Sequence, residues 1–196
     1  METQKDSRNM MVTIGGKGTG NEKREQYDYY ATDPIAVDYL LKYETFDNNI
    51  WECACGEGNI SKRLEHYGYN VRSTDLIYRG FGEEKPVNFL METKQFDGDI
   101  ITNPPYSHSL EFVNQALKLS KRKVAMFLKL QFIETQKRYK HLFSKNPPSA
   151  IYIFVKRIKC FKNNEPSSYL SAVCYCWFIW DKEYNGEPVI RWIDNL

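Results

Sequence analysis

The chain has 196 residues, 42% hydrophobic and 27% charged, which suits one globular domain with a buried core. Its longest apolar run, from Tyr169 to Trp180, is about half of what a membrane-spanning helix needs, and the N-terminus lacks the apolar core of a signal peptide. We therefore expect a cytoplasmic protein that does not enter a membrane. The five cysteines argue against a disulfide framework, and four of them form the pairs Cys53/Cys55 and Cys174/Cys176. Because no His lies at ligand spacing from either pair, buried inert thiols are favoured over a metal site.

The net charge of +2 conceals an uneven distribution. Between Lys118 and Lys162 there are 13 Lys or Arg residues and one acid, Glu134. This segment therefore carries +12, against −10 for the rest of the chain. A charge run is often only a solvated face, but an asymmetry this large in one domain favours a polyanionic partner such as nucleic acid.

The first 25 residues are polar and contain the glycine-rich run Gly15–Gly20, which lacks the spacing of a phosphate-binding loop. We predict a flexible N-terminal arm over residues 1–25 and a single domain over residues 26–196. The segment YDYYATDP then leads into a helix, with Asp33 as its cap and Pro34 at its first position. The apolar residues that follow at helical spacing are Ala36, Tyr39, Leu40 and Tyr43.

From Asn49 onward, predicted strands and helices alternate. The first strand ends in IWECACGEGN, and the helix after it has Ile60, Leu64 and Tyr67 on one face and ends at Gly68. Further strand-like elements are predicted at Tyr69–Asp75, Val87–Leu90, Gly98–Asn103, Val124–Leu130, Ile151–Ile158 and in AVCYCWFIW, with helices at Leu110–Ser120 and around Thr135–Phe143. This order predicts an α/β fold with a mostly parallel sheet covered on both faces. The polar loop Lys159–Tyr169 is too short for a crossover helix, so we expect the last two strands to form an antiparallel pair at one end.

A glycine turn and an acid mark the expected ligand site. Ligands of such sheets lie beyond the carboxyl ends of the strands, where Gly56 and Gly58 follow the first strand. Asp75 ends the next strand 19 residues after Gly56, a position from which a carboxylate can accept hydrogen bonds from ribose. Ser61 stands where a dinucleotide fold has its third glycine. These features favour an adenosine-containing cofactor without a pyrophosphate, such as S-adenosylmethionine.

The segment DIITNPPYS starts as a buried strand and runs into two prolines that cannot continue a central ladder. ECACGEG, Thr74-Asp75, Asn88–Leu90 and Asn103–Tyr106 (NPPY) resemble, in this order, the successive motifs of S-adenosylmethionine-dependent amino-methyltransferases. The likeness is greatest to small phage- or prophage-type DNA adenine-N6 methyltransferases, and it extends from about Tyr27 to Trp180. It implies a Rossmann-like methyltransferase fold with a seven-stranded sheet, and transfer of a methyl group to adenine N6 in DNA.

The resemblance also implies roles for individual residues. Glu52 would meet the methionine end of the cofactor, Asp75 its ribose, and Phe89 its adenine ring. Asn88 stands where the family usually has Asp, and its amide oxygen can still accept from the adenine amino group. The remaining implied cofactor-binding residues are Tyr29, Thr32, Ala54, Gly56, Gly58 and Asn103.

The chemistry of the NPPY segment follows from the poor nucleophilicity of an amine conjugated to a purine. The Asn103 side-chain oxygen and the Pro104 carbonyl can accept both amine hydrogens, and Pro105 helps to hold these acceptors in fixed geometry. Tyr106 can stack on a flipped base, a contact worth about 1–3 kcal/mol. The resemblance places a second aromatic wall at Phe161, and a strand-end position facing the core is an equal alternative for this residue.

Lys121, Arg122 and Lys123 are the residues we expect to line the path of the DNA phosphates. We expect the three histidines, His66, His108 and His141, to be surface or helix residues. A catalytic role is not expected for them, because this chemistry needs no strong base. Three alternatives stay open: an RNA adenine or guanine methyltransferase, a protein glutamine methyltransferase, and a non-catalytic nucleic-acid-binding module on the same scaffold.

Overall fold

The computed structural model describes residues 29–158, 160–162 and 173–196, without the side chains of residues 161 and 162. Within these residues, a seven-stranded sheet has the order β3-β2-β4-β5-β8-β6-β9, and β1 pairs separately with β7. The strands are β1 (Tyr30–Thr32), β2 (Asn49–Glu52), β3 (Asn70–Ser73), β4 (Asp99–Thr102), β5 (Lys123–Lys129), β6 (Ala150–Phe154), β7 (Cys160–Lys162), β8 (Tyr175–Asp181) and β9 (Val189–Ile193). The α-helices are α1 (Ile35–Tyr43), α2 (Asn59–His66), α3 (Ser109–Leu119) and α4 (Gln136–Arg138).

The central strands are buried on both faces, as continuous apolar runs predict. In β5, Val124 and Met126 belong to one hydrophobic core, whereas Ala125 and Phe127 belong to the core on the opposite face. Helix α3 contributes to the first core, and α1 and α2 contribute to the second. The prediction of a sheet covered on both faces is therefore confirmed.

Strand direction decides where functional side chains can meet. β3, β2, β4 and β5 are mutually parallel, so their carboxyl ends lie at one edge of the sheet. β8 runs antiparallel to both β5 and β6, which confirms the predicted antiparallel pair. The pair does not form the outer edge, because β9 lies beyond it and is parallel to β6.

One predicted strand is wrong. The segment Val87–Leu90 lies outside the sheet, and Phe89–Met91 forms a 3₁₀ turn. The Asn88 side chain accepts a hydrogen bond from the Leu90 N–H at 3.1 Å, which stabilises the turn instead of a ladder. The seventh strand is β9, which the sequence analysis did not predict.

Two further segments differ in detail from the prediction. The predicted polar loop Lys159–Tyr169 includes strand β7, which pairs antiparallel with β1. The helix predicted around Thr135–Phe143 begins as the single turn α4 and continues as a π-helix over Tyr139–Phe143. None of the helices in the described ranges has the length and apolar character needed to cross a membrane.

Candidate active site

A cavity of about 520 Å³ opens at the edge of the sheet where the parallel strands have their carboxyl ends. It brings together residues that are far apart in the sequence but were predicted to share one site. The predicted residues that line it are Tyr29, Thr32, Glu52, Ala54, Asp75, Asn88, Phe89, Asn103, Pro104 and Pro105. Its volume lies within the range of small-molecule sites.

The glycine turn connects β2 to α2 behind this cavity. Gly56 and Gly58 have φ angles of 55° and 82°, a region that glycine adopts without strain. A Cβ atom on Gly56 would overlap the ring of Tyr29, and one on Gly58 would overlap the ring of Phe81. The two glycines therefore let aromatic rings approach the backbone closely, and neither is among the described residues that line the cavity.

Asp75 is held in position by the glycine turn and by its own loop. Its carboxylate accepts hydrogen bonds from the Gly56 N–H at 2.8 Å and the Ile77 N–H at 2.9 Å, and Arg79 lies 3.5 Å away. A carboxylate has about four acceptor positions, so one remains beside these three donors. The 3.5 Å contact to Arg79 is the weakest of the three, and a ligand hydroxyl could replace it.

Glu52 is a buried acid at the end of β2, with 2% of its surface exposed. Its Oε2 atom accepts hydrogen bonds from the Ser61 N–H, at 2.8 Å, and from the Ser61 hydroxyl. Burial outweighs these bonds and raises the pKa of Glu52 to about 8. The carboxyl is therefore mostly protonated at pH 7, and a cation bound nearby would favour its ionised form.

Asn88 and Phe89 form the cavity wall on the 3₁₀ turn. The Asn88 Oδ1 atom already accepts from the Leu90 N–H and keeps one further lone pair. The ring of Phe89 is buried and packs edge-on against Trp51, with centroids 5.2 Å apart. Phe89 is thus part of the core as well as of the cavity lining.

Asn103 has an acceptor that its neighbours leave unused. Its Nδ2 donates to the Tyr30 carbonyl and to the Thr32 Oγ1, both at 2.9 Å. Because a backbone carbonyl can only accept, this contact fixes which end of the amide is nitrogen. The Oδ1 atom is buried and has no hydrogen-bond partner in the described part of the chain. Such an atom is costly unless a ligand group pairs with it.

Tyr106 does not line the cavity among the described residues. Its ring packs 5.3 Å from Tyr30 and 5.9 Å from Tyr175, measured between centroids, and the Lys129 Nζ lies 4.6 Å from its centre. Burial raises its pKa well above the ordinary tyrosine value, so it stays a neutral phenol. Tyr30, Tyr175 and Lys129 thus surround the ring, and its stacking on a base stays a prediction. The expected partner wall, Phe161, is a backbone neighbour of β1, and its side chain lies outside the described part.

The structure does not bring Lys121, Arg122 and Lys123 to this site. They lie at the amino end of β5, the opposite edge of the sheet from the cavity. Lys121 pairs with Asp97 at 2.7 Å and Arg122 with Asp99 at 3.3 Å, while Lys123 is buried against Glu44 at 2.5 Å and Asp181 at 3.5 Å. The prediction that they line the phosphate path is therefore wrong. They lie at the edge of the sheet opposite the cavity, and acids there compensate their charges.

Several lining residues were missed by the sequence analysis. Tyr30, Arg79, Ser107 and His108 all border the cavity. Ser107 and His108 directly follow NPPY, so their proximity was a readable signal. Tyr30 directly follows the predicted residue Tyr29, so it had the same signal, whereas Arg79 is placed by the loop after Asp75.

The cysteines behave as apolar residues. All five are free, and Cys53, Cys55 and Cys176 are buried. Burial raises the pKa of Cys53 well above its ordinary value and that of Cys55 to about 12, so both are neutral thiols at pH 7. The described residues include no group of three or more His, Cys, Asp or Glu that could hold a metal ion.

Comparison with known proteins gives similarity in structure alone. No family model and no curated protein sequence matches the chain. A protein from Vibrio vulnificus YJ016, described as a modification subunit of a type I restriction enzyme, is 12% identical with a TM-score of 0.58. The match covers 99% of this chain and 51% of that one, so the chain spans about half the length of that protein.

A second solved structure is that of magnesium protoporphyrin IX methyltransferase from Synechocystis PCC 6803 with bound SAH. It is 10% identical to this chain with a TM-score of 0.50, and the match covers 92% of this chain and 95% of that one. At such low identity the likeness establishes architecture alone. The chain has the Rossmann-like methyltransferase fold.

Proposed function

We propose that this protein is an S-adenosylmethionine-dependent methyltransferase that acts on an exocyclic amino group, with adenine N6 in DNA as the leading substrate. The observation that carries the proposal is the unpaired Oδ1 of Asn103. Its amide is locked by two Nδ2 hydrogen bonds, so the oxygen is preorganised to accept from an amine.

The cavity residues fit the cofactor. Asp75 offers an acceptor for ribose, and Phe89 with Asn88 forms a wall suited to an adenine ring. Glu52 is a buried acid that the cationic amino group of the methionine portion would ionise. When bound, S-adenosylmethionine supplies an electrophilic methyl group on a sulfonium sulfur.

The residues of the NPPY segment would activate the amine by accepting its two hydrogens. Asn103 Oδ1 would accept a hydrogen bond from one N–H group, and the Pro104 carbonyl would accept a hydrogen bond from the other. These bonds favour a tetrahedral nitrogen whose lone pair points at the methyl group, since delocalisation into the ring is then lost. With S-adenosylmethionine bound, this nitrogen would accept the methyl group and S-adenosylhomocysteine would leave, while the methylated nitrogen would release one proton to water. Little reorganisation is needed, because two prolines and two amide hydrogen bonds fix the acceptors.

Nucleic acid is favoured as the carrier of the amine by the +12 charge of Lys118–Lys162, although Lys121, Arg122 and Lys123 no longer contribute to that argument. The description of the Vibrio protein as a modification subunit of a restriction enzyme supports DNA. The same pair of acceptors would serve an amino group of RNA or a glutamine amide, so these are the competing substrates.

The test is methyl transfer from labelled S-adenosylmethionine to unmethylated duplex DNA, with RNA and a protein extract in parallel. We expect label in DNA, recovered as N6-methyladenine. Asn103→Ala should lower kcat about 10²- to 10³-fold, the usual effect of removing one such preorganised group. Asn185→Ala, the same substitution at an exposed position between β8 and β9, is the matched control and should keep full activity.

Cofactor affinity, measured by calorimetry in the same variants, separates the two roles of Asn103. Loss of transfer with retained binding assigns Asn103 to amine activation. Transfer to RNA or protein alone would overturn DNA as substrate but keep the chemistry. Full activity in Asn103→Ala would contradict the proposed mechanism, and absence of cofactor binding in the wild type would favour the non-catalytic module.

A further inference from the structure

A second surface beside the candidate active site has the chemistry of a nucleic-acid contact. It is the exposed side of the segment after β5, which we call the basic-aromatic face. Its members are Ile133, Lys137, Tyr139, Lys140, His141 and Lys145. All six are exposed.

The basic-aromatic face begins at the active-site edge of the sheet. β5 is parallel to β4, so the segment leaves β5 at the edge where Asn103 follows β4. Lys137 Nζ lies 3.5 Å from Glu111 in the first turn of α3. That turn is three residues beyond His108 of the cavity wall. The face is thus connected to the cavity through α3.

The exposed groups of this face are of two kinds. Tyr139 and Ile133 are large side chains with 66% and 46% of their surface exposed, and basic residues surround them in the sequence. Around them, residues 133–145 carry four Lys or Arg and one acid, Glu134, for a formal charge of +3. Lys137 contacts Glu111 at 3.5 Å with both side chains exposed, whereas Lys121, Arg122 and Lys123 at the opposite edge each lie within 3.3 Å of an acid.

The segment that displays these groups is firmly anchored. Phe132 and Leu142 are buried, and the Arg138 guanidinium lies 4.7 Å over the Phe132 ring while donating to the Gln131 and Glu134 carbonyls. Thr135 has a φ of 103°, a region that β-branched residues rarely adopt, and a π-helix follows it. Both features are enriched at functional sites. A strained and anchored turn is thus holding exposed lysines and a tyrosine in a fixed arrangement.

We propose that the basic-aromatic face binds the sugar–phosphate backbone and a flanking base of the nucleic acid whose target amine enters the cavity. Lysines compensate phosphate charge, and an exposed tyrosine among them provides a stacking surface. The inference rests on the proposed function, and it assigns the contact to Lys137, Tyr139 and Lys140 instead of the predicted Lys121–Lys123 triplet.

The experiment compares two double variants with the same loss of charge. Lys137→Gln/Lys140→Gln alters the face, and Lys118→Gln/Lys121→Gln alters exposed lysines at the opposite edge. Binding of a fluorescent DNA duplex is measured as a function of salt. We expect the face variant to bind at least tenfold more weakly at 100 mM salt and to lower the slope of log K against log salt by about 2, one for each lost phosphate contact. The opposite-edge variant should bind within about twofold of the wild type.

Tyr139→Ala tests the stacking contact separately. It should weaken DNA binding about tenfold with an unchanged salt slope, since no charge is removed. Cofactor affinity and the thermal midpoint, measured for every variant, should match the wild type and show that the fold is intact.

The outcomes separate this proposal from the proposed function. A face variant that binds and methylates DNA like the wild type would overturn the face while leaving the function standing. Equal weakening in both double variants would also overturn it, since binding would then follow net charge alone. If the wild type neither binds nor methylates any nucleic acid but labels protein, nucleic acid fails as the substrate, and the face proposal that rests on it is overturned as well.

Discussion

At the scale of single residues, the candidate site is distinguished by two buried polar groups that the surrounding protein does not fully compensate. Asn103 has a buried amide oxygen without a partner in the described part, and Glu52 has a carboxyl whose charge is suppressed by burial. Each is unfavourable in isolation and becomes favourable when a ligand supplies an amine hydrogen or a cation. Both features therefore point to a ligand-dependent site more than to a structural core.

The raised pKa of Glu52 makes cofactor affinity depend on pH. The cationic amino group of the cofactor favours the ionised form of Glu52, so cofactor binding releases the proton of Glu52. Cofactor affinity should therefore increase from pH 6 to about pH 8, above which the carboxyl is mostly ionised before the cofactor binds. Calorimetry from pH 6 to pH 9 measures this. Glu52→Gln resembles the neutral carboxyl and cannot titrate. Any pH dependence of affinity that remains in this variant comes from titration of the cofactor, so the variant serves as the control. Parallel curves for the two proteins would contradict the prediction.

The same pKa predicts the sign of a stability change. Glu52 keeps its proton up to about pH 8 in the folded protein, whereas the unfolded chain loses it near the ordinary value of 4.5. The folded state binds more protons in this window, so stability falls as pH rises from about 4.5 to about 8. Glu52→Gln should therefore gain thermal stability relative to the wild type between pH 5 and pH 8. A constant difference in the thermal midpoint across that range would count against it.

At the scale of elements, the glycine turn between β2 and α2 couples the backbone to two aromatic rings. Gly56 lies against Tyr29, which lines the cavity, and Gly58 lies against Phe81 in the loop after Asp75. Tyr29 is also linked to this turn by a hydrogen bond from the Glu57 N–H at 3.2 Å. The turn thus positions Tyr29 of the cavity wall and contacts the loop after Asp75, without contributing its own glycines to the lining.

Gly58→Ala and Gly68→Ala separate backbone strain from ring displacement. Both glycines have positive φ, 82° and 89°, so either substitution should destabilise the fold by about 1–2 kcal/mol. A Cβ at Gly58 would also overlap Phe81, whereas one at Gly68 meets nothing within 4 Å. We expect only Gly58→Ala to weaken cofactor binding as well, because the loop after Asp75 must move. Equal cofactor affinity in the two variants would refute this coupling.

At the scale of the whole molecule, the parallel sheet separates two charged regions. The carboxyl edge has the cavity and begins the basic-aromatic face, whereas the amino edge has a network of paired charges that joins α1, β4, β5 and β8. Asp99 is the centre of that network: it is fully buried, and it accepts from the Asp47 and Lys123 N–H groups, both at 2.7 Å. The amino edge therefore stabilises the fold, which leaves the carboxyl edge available for function.

Asp99→Asn should be strongly destabilising, by about 3–5 kcal/mol, because an amide group would face a donor in a buried site and Arg122 would keep only Asp181, at 3.8 Å, as an acidic partner among the described residues. Asp97→Asn is the matched control. Its side chain is 84% exposed and pairs with Lys121 at the surface, where such pairs contribute little. Urea unfolding measures both. Similar midpoints for the two variants would show that the network is not essential.

The sequence by itself determined the order of most elements and the identity of the central motifs. Strands and helices were predicted because apolar periodicity and turn chemistry are local properties, which a few neighbouring residues express. The parallel order then placed Glu52, Asp75 and Asn103 at one edge, and the structure places all three at the cavity. The arm over residues 1–25, the Phe161 wall and the nucleic-acid substrate stay predictions.

Only the tertiary structure decided which charges are compensated and which acceptors are left unpaired. Lys123 and Glu44 meet across 79 residues of chain, and Asn103 meets Tyr30 across 73. β9, with the sequence VIRWI, is a short edge strand that among the described strands pairs only with β6, and β7 pairs with β1 across more than a hundred residues. Contacts of this kind depend on how distant segments pack, and no local pattern encodes them. The sequence therefore specified the motifs of the site, while packing between distant segments decided the orientation and charge of their side chains.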